Sequence, residues 1–228
     1  MSIPKILNIV WVGPHSPPQE AIDTWSNKHV NGWLFTLWTD HTKGWVNQAQ
    51  IDARYARQEF NGVADCMRYE ILFKHGGFCV DADSTCLKAL DEGPEDFLAS
   101  DTALACYENE LVRPGMVGCG FLGAPKAHIF FDACIDEVSK QDPREAAWKT
   151  VGPILMTKIV KELPDDIRVL PARSFNPIHH SGVKAEGTGP IYSEQHWAST
   201  VGYNKMRKFS CSCHICRNTQ SMLRPSWG

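Results

Sequence analysis

The run from Asn61 to Asp83, NGVADCMRYEILFKHGGFCVDAD, constrains the fold more than any other part of this chain. Asn61 is a good N-cap, which predicts a helix over residues 62–75. Val63, Cys66, Met67, Ile71 and Leu72 recur at helical spacing and give it an apolar stripe. Gly76 can take the positive φ that closes a helix, so the chain is expected to reverse there. Phe78, Cys79 and Val80 then form a strand short and apolar enough to belong only in a core. Along an extended chain alternate side chains share a face, so Asp81 and Asp83 point one way and Ala82 the other. Two carboxylates held at the mouth of a sheet suit a hard divalent cation and, through it, a diphosphate.

The remaining chain supplies the layers around this device. Strands are expected over residues 5–11, 33–38, 99–108, 116–123 and 167–170, and helices over 21–28, 48–60, 128–139 and 152–163. Such alternation predicts an α/β architecture, a mainly parallel sheet flanked by helices, with ligands bound beyond the carboxyl ends of the strands. At 228 residues and 43% hydrophobic content, the chain can bury one full core. We therefore read residues 1–204 as a single domain and 205–228 as a basic, cysteine-rich tail. No apolar run approaches the roughly 18 residues of a membrane span. The N-terminus lacks the basic and apolar regions of a secretory signal. Nine cysteines, an odd number in a chain large enough not to need staples, point to free thiols and a cytoplasmic location. The net charge of −3 argues against a protein that is basic all over.

An Asp-x-Asp pair alone is a weak signal, but its context is specific. Ala64, Asp65, Arg68, Tyr69, Leu72, Gly76, Gly77, Asp81 and Asp83 fit the pattern A-D-x-x-R-Y-x-x-L-x-x-x-G-G-x-Y-x-D-x-D, with Cys79 at the place usually held by an aromatic. The segment resembles the DXD sugar-transferase region of the family-32 glycosyltransferases. Relatives there include yeast-type α-mannosyltransferases and the glucosylating domains of clostridial toxins. The resemblance implies a GT-A (nucleotide-diphospho-sugar transferase) fold for the catalytic domain. It also implies Mn²⁺ or Mg²⁺, a UDP-sugar or GDP-sugar donor, and hexosyl transfer with retained anomeric configuration to a hydroxyl-bearing acceptor.

The same resemblance assigns roles to particular side chains. Asp83 is expected to hold the metal, with Asp81 touching it, its waters or the donor ribose. Asp65 and Arg68 lie three apart on one helix face. They form either a structural ion pair or, as the family implies, a grip on donor-sugar hydroxyls. Ile3-Pro4-Lys5-Ile6 with Trp11 and Gly13 resembles the family's opening, which places Trp11 and Val12 against the nucleotide base; otherwise Trp11 caps the core. Gly189 to Trp197 resembles the returning C-terminal segment. It nominates His196 as third metal ligand, Glu194 as runner-up, and Trp197 as a donor contact. Thr150-Val-Gly152-Pro153 resembles a family signature opening a helix whose N-terminus orients hydroxyls or phosphate. The strand over 117–125 lacks the polar residue that often faces the sugar.

Two features admit other readings. Cys211, Cys213, His214 and Cys216 are zinc-type ligands, though crowded within six residues, and His179 or His180 could supply a more distant ligand. Lys205, Arg207, Lys208, Arg217 and Arg224, with Trp227 and no acid after Glu194, suit an anionic acceptor or a solvated tail. They also admit a DNA-modifying glycosyltransferase or a nucleic-acid-binding module. A non-catalytic carbohydrate binder is disfavoured by the intact set Asp65, Arg68, Asp81 and Asp83.

Overall fold

The computed structural model describes residues 2–92 and 96–201. The order of elements is β1 (Ile6–Val10), α1 (Gln19–Lys28), β2 (Leu34–Trp38), α2 (Gln48–Ala56), α3 (Phe60–His75), β3 (Gly77–Asp81), β4 (Ser84–Cys86) and β5 (Ala103–Tyr107). It continues with β6 (Val117–Ala124), α4 (Ile129–Ser139), α5 (Ala147–Thr150), α6 (Pro153–Glu162), β7 (Ile167–Leu170), β8 (Ser193–Gln195) and α7 (Ala198–Val201). The expected basic, cysteine-rich tail lies outside the described residues, and with it the cysteine cluster.

Six strands form one sheet in the order β2-β1-β3-β6-β5-β7. β1 pairs in parallel with both β2 and β3, and β5 with β7. β6 alone runs against its neighbours, β3 and β5. The sheet is therefore largely parallel and flanked by helices, as the alternation of elements predicts. The reversed β6 has a consequence for the site: it begins at the edge where the parallel strands end.

Each face of the sheet packs its own core. On β3, Phe78 and Val80 enter the cluster that holds Trp25, Trp33 and Phe97 beneath α1. Cys79, pointing the other way, joins Met67, Tyr69, Phe130 and Met156 beneath α3, α4 and α6. That alternation is the two-residue period of a strand expressed as two burial sites. All six described cysteines are free and buried, and burial pushes the Cys79 and Cys66 thiols up to about 12.

The boundaries differ from the sequence reading at informative places. The expected helix over 48–60 is broken after Ala56, because Gln58 takes φ 61° and α3 starts afresh. Asn61 consequently sits inside the first turn of α3; Glu59 holds the cap position without a side-chain hydrogen bond. β3 is one residue longer at each end than the expected strand over 78–80, and Ala82-Asp83 form a tight turn into β4 rather than an extended continuation. β4 pairs antiparallel with β8, Ser84 opposite Gln195, which carries the distant C-terminal segment back to the aspartates.

The double glycine after α3 is required on steric grounds. Gly76 and Gly77 have φ of 70° and 92°, and a Cβ on Gly77 would lie 2.4 Å from the Ile6 carbonyl oxygen. Gly77→Ala is expected to destabilise the fold by about 3 kcal/mol or more in urea unfolding. Gly44→Ala, with φ 89° but no atom within 4 Å of the new Cβ, should cost only about 1 kcal/mol. Equal costs for the two would contradict the steric account.

Candidate active site

The site forms around one guanidinium. Arg68 projects from the middle of α3, where the residue is only 6% exposed, and its Nη2 pairs tightly with Asp81 Oδ1 at the end of β3. Its Nη1 donates to Asp65 Oδ1 at 3.1 Å, one helical turn earlier, and to the Cys119 carbonyl at 3.0 Å on β6. A single side chain thereby fixes α3, β3 and β6 relative to one another. Burial opposes its charge, but Asp81 and Asp65 more than offset that, so the guanidinium is held protonated more firmly than usual.

Backbone space is cleared for these carboxylates. A Cβ on Gly120 would come within 2.6 Å of Asp81 Oδ2, so any larger residue there would displace the Asp81 carboxylate from its present place. Gly152, at the start of α6, stands near Asp65 in the same way, with a would-be Cβ 3.2 Å from Oδ2. Burial raises the Asp65 carboxyl to about 7; Asp81 adds to the shift and Arg68 opposes it. Burial, with the neighbouring Asp81, likewise raises Asp83 to about 6.

The tail segment completes this wall, through a residue the sequence did not single out. Gln195 Nε2 donates to Asp81 Oδ2 at 2.8 Å and to Asp83 Oδ1 at 3.2 Å. The Ala198 backbone N–H donates to Asp83 Oδ2 at 2.6 Å. His196, the expected third metal ligand, turns elsewhere. Its Nε2 lies 2.8 Å from Thr85 Oγ1, while its backbone N–H donates to the Asp83 carbonyl. The alternation of side chains at the end of β8 explains the difference, since it aims Gln195 at the carboxylates and its neighbours away. Glu194, the runner-up, lies opposite Thr85 in the β4–β8 ladder. Among the described residues, no third histidine, cysteine or carboxylate gathers with Asp81 and Asp83.

One cleft collects the other expected residues. Trp11, Val12, Asp65, Arg68, Asp81, Asp83 and Trp197 all line it, beyond the carboxyl ends of β1 and β3. Trp11 Nε1 donates to the His15 carbonyl at 2.7 Å, and Trp197 Nε1 to the Ile178 carbonyl at 2.9 Å. Trp197 holds an unusual φ of 57° to do so. The floor is Gly118-Cys119-Gly120, without a polar side chain, as its sequence implies. Glu108, Arg113 and Asn176 supply polarity at the far side instead. No local motif marks these three. Glu108 immediately follows β5 and Asn176 lies just past the short 3-10 turn Ala172–Ser174, and only the sheet order brings them together. Thr150 serves the scaffold: its hydroxyl accepts from the buried Arg54 at 2.8 Å and donates to the Ala146 carbonyl. Pro153, opening α6, does reach the cleft.

With this geometry in place, the comparisons with known proteins are specific. Residues 18–102 match the family described as a glycosyltransferase sugar-binding region containing the DXD motif. Asp81-Ala-Asp83 is that motif. Inositol phosphoceramide mannosyltransferase 1 of Schizosaccharomyces pombe (strain 972 / ATCC 24843) is 26% identical over 193 residues, which are 75% of this chain. The chain spans about half the length of that relative, 56%. The solved PaToxG glycosyltransferase superposes with a TM-score of 0.54 at 15% identity, covering 72% of this chain and 70% of that one. A looser likeness, TM-score 0.44 at 12% identity, joins 76% of this chain to 85% of a glycosyltransferase involved in glycosylation of the PBCV-1 major capsid. The matched span includes Asp81-Ala-Asp83, and the superposition on PaToxG shows an α/β fold like that of a glycosyltransferase.

The raised Asp65 carboxyl gives a pH prediction with a definite sign. Its folded pKa lies above its unfolded value of roughly 3.9, so the neutral form is the stabilising one. That contribution is complete below about pH 4 and is lost as pH rises through about 7. Relative to wild type, Asp65→Asn should therefore gain thermal stability between pH 4.5 and 7.5, by an amount on the order of a few kcal/mol. A difference in melting temperature that stays flat across this range would refute the burial account.

Proposed function

We propose that this chain is a metal-dependent, retaining hexosyltransferase that moves a sugar from a nucleotide diphosphate to a hydroxyl group of an acceptor. The observation that carries the reading is the convergence of Asp65, Arg68, Asp81 and Asp83 with two tryptophans in one cleft at the strand ends. A structural ion pair alone would not require a second aspartate beside it, glycine at position 120 and an open face lined by indoles.

The residues present fit a hard divalent cation. Asp81 and Asp83 are close enough to share one amide donor, and burial together with Asp81 disfavours charge on Asp83 in the metal-free protein. A Mg²⁺ or Mn²⁺ ion held by these two carboxylates would take up the negative charge that grows on a departing diphosphate. Such ions retain several waters, so two protein carboxylates are a sufficient donor set. Gln195 takes the position in the wall that sequence reading gave to His196, and it orients the carboxylates from the tail side.

The other assignments follow from chemistry and position. Asp65, acceptor-only when ionised, can receive hydroxyls of the donor sugar, while Arg68 holds both Asp65 and Asp81 in register. Trp11 offers an indole to the nucleobase, a contact of about 1–3 kcal/mol in stacked complexes. Trp197 closes the opposite wall. The likeness to a mannosyltransferase makes a nucleotide-linked mannose the first donor to test, with GDP- and UDP-hexoses compared.

Transfer and donor hydrolysis by the purified protein should both fall at least about a thousandfold in Asp83→Asn, matching loss of a principal electrostatic stabiliser. EDTA should abolish them reversibly, and Mn²⁺ or Mg²⁺ should restore them. A thermal-shift series with GDP- and UDP-sugars should show stabilisation only when metal is present. Full activity of Asp83→Asn in metal-free buffer would overturn the proposal.

A further inference from the structure

A second set of ligating side chains includes Glu108, which lines the same cleft as the aspartate pair. Glu108 immediately follows β5 and is 5% exposed; His179 is 2% exposed, and His180 beside it reaches solvent. One ligand-type atom from each lies within 4.8 Å of the other two, and no other such trio of histidine, cysteine or acidic groups occurs among the described residues. We propose that Glu108, His179 and His180 bind a divalent cation of the zinc class.

Three features of the structure support this. First, His179 Nε2 is buried with no hydrogen-bond partner among the described residues, and buried polar atoms are seldom left so. It faces Glu108 Oε1 at 3.5 Å, too far for a good hydrogen bond. The gap instead approximates the separation of about 3.4 Å between two ligands of a tetrahedral zinc ion at about 2.0–2.1 Å. Second, the ring is held from behind: His179 Nδ1 lies 2.8 Å from Ser181 Oγ and accepts from the Ser181 backbone N–H at 3.2 Å, contacts that keep Nε2 turned toward Glu108.

Third, the ligands sit on fixed backbone. Ile178 and Lys184 form a bridge across a tight reversal in which the His179 N–H donates to the Val183 carbonyl. The Trp197 indole packs against both imidazoles, with centroids 5.2 and 5.6 Å away, while its N–H is tied to Ile178. Arg113 Nη1 lies 3.1 Å from Glu108 Oε1 and 3.3 Å from Oε2, but a carboxylate has about four lone-pair sites, and the Arg113 side chain is 39% exposed and able to withdraw. Two imidazoles and one carboxylate select zinc-like cations over magnesium, which prefers oxygen alone. The metal would join the end of β5 to the 178–184 reversal and so brace Trp197. This assignment does not depend on the cation proposed at Asp81 and Asp83.

The test is zinc titration of the metal-stripped full chain by calorimetry, with Cys211, Cys213 and Cys216 replaced by serine to remove thiolate sites. One Zn²⁺ equivalent should bind and should persist in Asp83→Asn. His180→Ala, a change at an exposed position, and Glu108→Gln should each weaken it at least tenfold, with folding checked by circular dichroism. The proposal is overturned if no equivalent binds, if Asp83→Asn removes it, or if affinity is unchanged in both His180→Ala and Glu108→Gln.

Discussion

Arg68 is the point on which the rest of this structure turns. Its charge is buried in the interior of the molecule, where an unpaired guanidinium would cost several kcal/mol. Two carboxylates and a carbonyl partner its two terminal nitrogens, and each belongs to a different part of the fold: α3 itself, the end of β3, and β6. The pairing therefore sets the height of the helix above the sheet and the direction in which Asp81 points. The neighbouring glycines answer to it, because the carboxylate that Arg68 holds occupies the volume a Cβ at position 120 would need.

The site is a compromise between charge and burial. Asp65 and Asp83 would both be easier to bury protonated, yet the chemistry inferred for them uses the ionised form. Arg68, the Gln195 amide and the Ala198 N–H ease the tension without removing it. A fold that keeps such groups together gives up stability for a cleft prepared to receive positive charge, a common trade at functional sites.

Local rules were sufficient where chemistry is written within a few residues. Helix α3, the glycine reversal and the short core strand follow from periodicity and backbone freedom, and with them the placement of Asp65, Arg68, Asp81 and Asp83. The α/β class follows from alternation. What could not be read was anything decided by side-chain direction after a distant return. Gln195 and His196 are adjacent in sequence, and choosing between them needs the register of β8 on β4. Asn61 looked like a cap because its residue type favours one, but the strained turn at Gln58 moved the helix start upstream. Glu108 and Asn176 carry no motif; the reversed strand β6 and the sheet order place them on the cleft.

The Gln195 bridge has a bearing on how the molecule comes into being. Its amide reaches Asp81 across 114 positions of sequence, so the aspartates gain this partner only after nearly all of the described chain is present. Closing so long a loop is an entropic cost met late, after the local helix and strand contacts have formed. As the chain emerges from the ribosome, α3 and β3 can assemble with Arg68 already in place. This wall of the cleft would be the last part built, and a nascent chain halted before β8 would hold its aspartates without the donors that steady them.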